Sequence, residues 1–83
     1  KLRGLVMKKP VALVTRASRG LGRSLATLLA KNEYHVYAGV RDVNQAPQKT
    51  TPIWVDLNNE DSLRLCVDRI IQENGKIDLL VHN

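Results

Sequence analysis

The stretch Val11–Lys31, VALVTRASRGLGRSLATLLAK, decides the fold. It opens on a short apolar run, passes through a polar loop and turns amphipathic from Gly20 onward. Pro10–Thr15 reads as a strand buried on both faces, as strands of a parallel sheet are. Beyond it, Leu21, Leu25, Leu28 and Leu29 fall on one helical stripe, with Arg23, Thr27 and Lys31 away from it. Gly20 and Gly22 strip side chains from the helix start, where unpaired amides and the positive end of the dipole attract an anion. A buried strand, a glycine loop and an amphipathic helix in that order are what a dinucleotide's pyrophosphate requires. The triphosphate loop G-x-x-x-x-G-K-[ST] fits worse, since Ala17 stands for its first glycine and Arg23 for its lysine.

Working outward, His35–Val40 (HVYAGV) and Ile53–Leu57 (IWVDL) read as second and third strands. The segment between them, broken by Pro47 and Pro52, reads as loop. Asn32 is the expected left-handed stop of the first helix. Asn58 or Asn59 caps a second helix, with Glu60 and Asp61 at the positive end of its dipole. Leu63, Cys66, Val67, Ile70 and Ile71 repeat along its apolar face, and Asn74-Gly75 ends it. Ile77–Asn83 (IDLLVHN) opens a fourth strand. Alternating strands and helices imply an α/β fold with a parallel sheet and right-handed crossovers. Strand order 3-2-1-4 follows if this is the first half of a doubly wound, Rossmann-like sheet, truncated inside its fourth strand. Its apolar LLV would then lie on a bare edge, which predicts association or poor folding of the chain alone.

With 83 residues the chain is one small domain at most. A hydrophobic share of 43% beside 25% charge argues against disorder. Trp54, Tyr34 and Tyr37 are its only aromatics, so the core is aliphatic. The net charge of +5 admits nucleic acid, a membrane surface or a phosphorylated ligand as partner. Its cations cluster in Lys1, Arg3, Lys8 and Lys9 and again in Arg16, Arg19 and Arg23 around the loop. Without a zinc-finger spacing or a basic helix, nucleic acid is not the expected partner. No apolar run approaches the ~20 residues of a membrane span, so no membrane partner is expected either. No metal-ligand spacing occurs. Residues 1–8 read as a basic head, disordered or upstream of a natural start at Met7, and residues 9–83 as a partial NAD(P)-binding domain. Cys66 has no partner for an internal disulfide, which suits a reducing, cytoplasmic compartment. Its place on the apolar helix face makes it a buried structural thiol.

TRASRGLG resembles the T-G-x-x-x-G-x-G loop of the short-chain dehydrogenases/reductases. VYAGVRD resembles their second strand, VDLNNEDSL their Asp-containing third-strand end, and IDLLVHN the start of their N-N-A-G strand. The resemblance runs in register over Lys9–Asn83. It implies a doubly wound fold, hydride transfer between NAD(P) and alcohols or ketones, and a homo-oligomeric parent. By position it implies that Ser18, Arg19, Gly20, Leu21 and Gly22 line the phosphates. Asp56 would accept from the adenine amino group, Leu57 would touch the ring, and Asn83 would lie near the nicotinamide-side ribose. A turn or capping role for Asp56 and a structural one for Asn83 stand beside these. Arg41 ends the second strand where an acidic residue would bind a ribose 2′-OH, so Arg41 and Arg19 favour NADP(H) over NAD(H). The alternative sets Arg41 in solvent and Asp42 on the ribose.

Two departures matter. Arg16 replaces the loop's first glycine; if positive φ is needed there, the side chain costs about 1–2 kcal/mol. That arginine either crowds the ribose or reaches the 2′-phosphate, and the expectation is that it impairs binding. His82 for the first Asn of N-N-A-G is milder. The second departure is that no Ser and Tyr-x-x-x-Lys set occurs: Ala38 follows Tyr34 by four positions and Arg41 follows Tyr37. The chain therefore carries no catalytic residue of that kind. The parent is expected to be an oxidoreductase; the alternatives are a non-catalytic nucleotide- or partner-binding module and an inert remnant.

Overall fold

The computed structural model describes residues 8–83. The basic head and Met7 lie outside the described residues, Lys8 excepted. The elements are β1 (Val11–Thr15), α1 (Gly20–Lys31), β2 (His35–Val40), a 3-10 turn (Val43–Gln45), β3 (Thr51–Trp54), α2 (Glu60–Asn74) and β4 (Leu79–Val81). The four strands form one parallel sheet in the order β3-β2-β1-β4. This is the expected doubly wound, Rossmann-like arrangement.

Alternation along β1 explains both layers. Val11 and Leu13 join Tyr37, Ile53, Val55, Cys66 and Ile70 on the α2 face. Ala12 and Val14 turn the other way, toward Ala17, Ala26, Val36, Ala38 and Val40 on the α1 face. The α1 face is lined by small residues, so that helix can approach the sheet closely. The buried positions of α1 are accordingly Gly22 and Ala26, while Leu21 and Leu28 face outward. This corrects half of the leucine stripe: Leu29 packs against the α1-face core and Leu25 is half-buried, whereas Leu21 and Leu28 lie outside it. In α2, Ser62, Cys66 and Ile70 are buried and Ile71 is not. Burial pushes the Cys66 thiol up to about 11, consistent with an inert core residue.

Several boundaries move for identifiable reasons. Asn32 keeps negative φ and donates from its side chain to the Leu28 carbonyl at 2.8 Å, while Glu33 takes the left-handed conformation at φ 69°. The strand expected at Ile53–Leu57 begins earlier, since Thr51 and Pro52 already pair with Tyr37 and Ala38, and ends at Trp54, since β2 ends at its partner Val40. Pro52 is tolerated since β3 lies at the sheet edge, where a missing N–H breaks no ladder. The connection after β2 is not plain loop: Asp42 accepts from the Asn44 amide and caps the 3-10 turn. Asn59, not Asn58, caps α2, and Gly75 closes it at φ 78°. β4 is shorter than expected, and Leu80 is 51% exposed on it.

Two polar ties hold the layers in register. The Tyr37 hydroxyl donates to Glu73 at 2.8 Å and accepts from Asn74 Nδ2 at 2.8 Å, fixing β2 to the end of α2. Burial raises the Tyr37 phenol above its ordinary value; the same bond, with Arg69, lowers Glu73. At the start of β1, Asp78 Oδ2 accepts from the Val11 amide at 2.7 Å and pairs with Lys76 at 3.1 Å. The Asp78 amide in turn donates to the Val11 carbonyl. These contacts hold the Asp78 carboxyl below its usual range. A depressed folded value means that Asp78 stabilises the fold above its unfolded pKa of about 3.9 and loses that effect as pH falls further. Asp78→Ala should therefore lower Tm at neutral pH, and the gap to the parent should close between about pH 4 and pH 2. Thermal melts of both chains across that range check it; a gap independent of pH would refute it.

Candidate functional site

At the carboxyl ends of the strands, β1 runs into the loop Arg16–Arg19 and then into α1. This is where open α/β sheets hold ligands. Gly22 sits so close to the loop that a Cβ there would stand 2.3 Å from the Arg16 carbonyl oxygen and 2.9 Å from Asn83 Nδ2. Gly20 has φ 63°, and a Cβ there would meet nothing within 4 Å. One glycine thus serves packing, and the other serves conformation beside open space. Arg16 also lies at positive φ, 52°, as the tight turn demands. Its backbone carries strain that a glycine would not.

No protein acceptor among the described residues takes the amides of Gly20, Leu21 or Gly22; the first intrahelical bond runs from the Arg23 amide to the Arg19 carbonyl at 3.3 Å. The N-cap Arg19 supplies no side-chain acceptor, and the first turn holds no acidic residue. Donors left open at a dipole's positive end, with a glycine in front of them, suit a phosphate group. The residues present fit a dinucleotide's diphosphate.

A cleft of about 480 Å³ opens over this loop. Of the ten residues singled out in the sequence, Arg16, Ser18, Arg19, Gly20 and Leu21 line its α1 side. Arg41, Asp56, Leu57 and Asn83 line the rest, and Gly22 lies beneath, against Asn83. The sequence reading passed over Gly39, Val40, Val55 and Asn58, which complete the wall. Gly39 has no side chain to signal contact, but a Cβ there would press on the Val14 carbonyl at 3.3 Å. Arg19 and Arg41 also border an adjoining compartment of about 640 Å³ with Arg23 and Asp42. Neither arginine is ion-paired among the described residues.

The supporting bonds are specific. Asp56 Oδ1 accepts from the Asn58 amide at 3.0 Å, so the turn role is real, and Oδ2 takes no bond among the described residues. Ser62 Oγ accepts from the Asp56 amide at 2.9 Å and lies 2.8 Å from the Asp56 and Asn59 carbonyls, which share its proton. The strand end is thereby tied to the α2 cap. Asn83 is held through its amide, which donates to Thr15 Oγ1 at 3.0 Å. Thr15 is fully buried and also reaches the Val81 carbonyl at 3.4 Å and His82 Nδ1 at 3.3 Å. The sequence reading treated Thr15 as a strand residue only; a hydroxyl at the end of a buried strand was the available signal.

A family model described as short chain dehydrogenase matches residues 10–83. Among curated proteins, the chain is 39% identical to 7alpha-hydroxysteroid dehydrogenase of Paraclostridium sordellii, over 93% of this chain and 33% of that protein. It is 36% identical to the bovine (Bos taurus) 15-hydroxyprostaglandin dehydrogenase [NAD(+)], over 88% of this chain and 32% of that protein. Among solved structures, ligand-free aldohexose dehydrogenase of Thermoplasma acidophilum superposes with a TM-score of 0.84 at 30% identity, covering 92% of this chain and 29% of that one. The chain spans about a third of the length of the curated relatives that it matches.

The two glycines should respond differently to substitution. Gly22→Ala forces backbone apart and should cost about 2–3 kcal/mol, whereas Gly20→Ala pays mainly for its left-handed backbone, about 1–2 kcal/mol. Denaturant unfolding of both variants checks the order; a larger loss at Gly20 would contradict it.

Proposed function

The chain belongs to the short-chain dehydrogenase/reductase family, and from that premise we propose that it binds NADP(H) in preference to NAD(H). It does so as the amino-terminal, cofactor-binding part of an oxidoreductase acting on alcohols or carbonyl compounds. The observation that carries the reading is that Arg19 and Arg41 border one cleft beside the open amides of α1. In this reading the Gly20, Leu21 and Gly22 amides receive the diphosphate. The two arginines take the 2′-phosphate through charge-assisted bonds. Asp42 would be the competing ribose ligand for NAD(H), but one of its oxygens is committed to the Asn44 amide. Asp56 offers its remaining oxygen to the adenine amino group, with Leu57 against the ring and Asn83 toward the nicotinamide-side ribose.

When bound, the cofactor supplies or accepts hydride. The chain's own residues hold and orient it, and its sequence contains no Tyr-x-x-x-Lys pair to move a proton. A free, buried cysteine supports a reducing compartment such as the cytoplasm.

Titration of NADPH and NADH at low salt tests the proposal, with carbonyl turnover measured alongside. Binding of NADPH without turnover is the result expected for this chain, and no binding of either would remove the reading. Arg41→Ala should weaken NADPH about 10- to 100-fold, the loss of one charge-assisted contact, and NADH much less. Equal losses would remove the NADP assignment. Arg16→Gly relieves left-handed strain and clears the cleft. It should raise stability by about 0.5–1 kcal/mol after glycine's own entropy is deducted, and tighten NADPH. Weaker NADPH binding in that variant would instead make Arg16 a ligand.

A further inference from the structure

Arg23 has no part in the cofactor contacts proposed above, yet it bridges the two segments that carry Arg19 and Arg41. Its Nη1 donates to the Ser18 carbonyl at 3.2 Å and to the Gln45 carbonyl at 3.2 Å. Ser18 belongs to the loop that leads to Arg19. Gln45 ends the 3-10 turn that begins just past Arg41 and Asp42. One nitrogen thus ties the glycine loop to the β2–β3 connection, across the compartment of about 640 Å³ that Arg19 and Arg41 border.

The geometry of a trans peptide adds a second consequence. The Ser18 carbonyl and the Arg19 amide point in opposite directions on one rigid plane. A guanidinium that holds the carbonyl on its own side turns the Arg19 N–H to the other. On the next plane the Arg23 amide donates to the Arg19 carbonyl, which turns the Gly20 N–H the opposite way by the same geometry. Arg23 Nη2 and Nε make no bond among the described residues, so its charge remains beside the compartment.

We propose that Arg23 is a positioning residue for cofactor selection. By joining Ser18 to Gln45 it holds Arg19 and Arg41 at a fixed spacing, so that a 2′-phosphomonoester meets both at once. The proposal rests on the NADP reading above for its ligand, but the bridge itself is a property of the free chain. Preorganisation of this kind raises affinity by removing the cost of ordering two long side chains and two loops on binding.

The test compares the chain with Arg23→Gln in titrations with 2′,5′-ADP and with 5′-AMP, which differ only in the 2′-phosphate. Amide hydrogen exchange is measured without nucleotide. Arg23→Gln should lose about fivefold on 2′,5′-ADP and less than about twofold on 5′-AMP. The Gln45 and Ala46 amides, bonded to the Asp42 and Val43 carbonyls, should exchange several-fold faster in the variant. Arg23→Lys keeps the charge without the planar fork and should resemble the glutamine variant more than the parent. Full rescue by lysine, equal losses on both nucleotides, or unchanged exchange at Gln45 and Ala46 would each overturn the proposal. If the parent itself shows no preference for 2′,5′-ADP, the NADP reading fails, and the exchange rates alone then judge the bridge.

Discussion

The site depends on a missing methyl group. At Gly22 the first turn of α1 lies against the Arg16 carbonyl and the Asn83 side chain, too close for any Cβ. That contact brings the helix start down over the ends of β1 and β4 at once. It leaves the first amides of α1 pointing at a cleft rather than at protein. Small residues elsewhere serve the same approach: Ala12, Ala17, Ala26 and Ala38 line the interface that α1 shares with the sheet. The α2 face is filled with Leu13, Tyr37 and Ile70 instead. The two sides of one sheet thus differ in residue size, and only the side of small residues lets a helix approach closely.

Polar groups then fix what packing has brought together. Thr15, fully buried, gathers the Val81 carbonyl, His82 and the Asn83 amide around one hydroxyl. The end of β4 is thereby set beside the end of β1. Ser62 does the same for Asp56 and the cap of α2. Asp78 anchors the opposite end of β1. The Thr15 and Asp78 ties join residues 66 to 68 positions apart, whereas the Ser62 tie is local; a buried hydroxyl without such partners would be costly.

Charge is distributed with the same asymmetry. Arg16, Arg19 and Arg41 face the cleft against the single carboxylate of Asp56. Asp61, Asp68 and Glu73 of α2 are instead paired along its own surface with Arg64 and Arg69. Exposed pairs of that kind contribute little to stability. Arg16, Arg19 and Arg41 make no ion pair among the described residues.

The fold was legible in the sequence wherever the pattern is local. Strand and helix order, the glycine loop, the Asn59 cap and the Gly75 stop follow from residues that act on their immediate neighbours. Nine of the ten residues named from the loop and from the family resemblance line one cleft, with Gly22 under them. What failed needed knowledge of the opposite surface. A row of leucines could not reveal that α1 rests on alanines and so turns Gly22 and Ala26 inward. The length of β3 depended on where β2 stops offering carbonyls, and Pro52 on β3 being an edge. The roles of Thr15 and Arg23 depend on carbonyls 66 and 22 positions away, which only the folded chain brings near. Local propensity and periodicity therefore determined which elements form and where the first amides of α1 lie open. Tertiary packing decided which faces are buried and how the arginines are held, because those depend on distances between segments that no stretch of sequence contains.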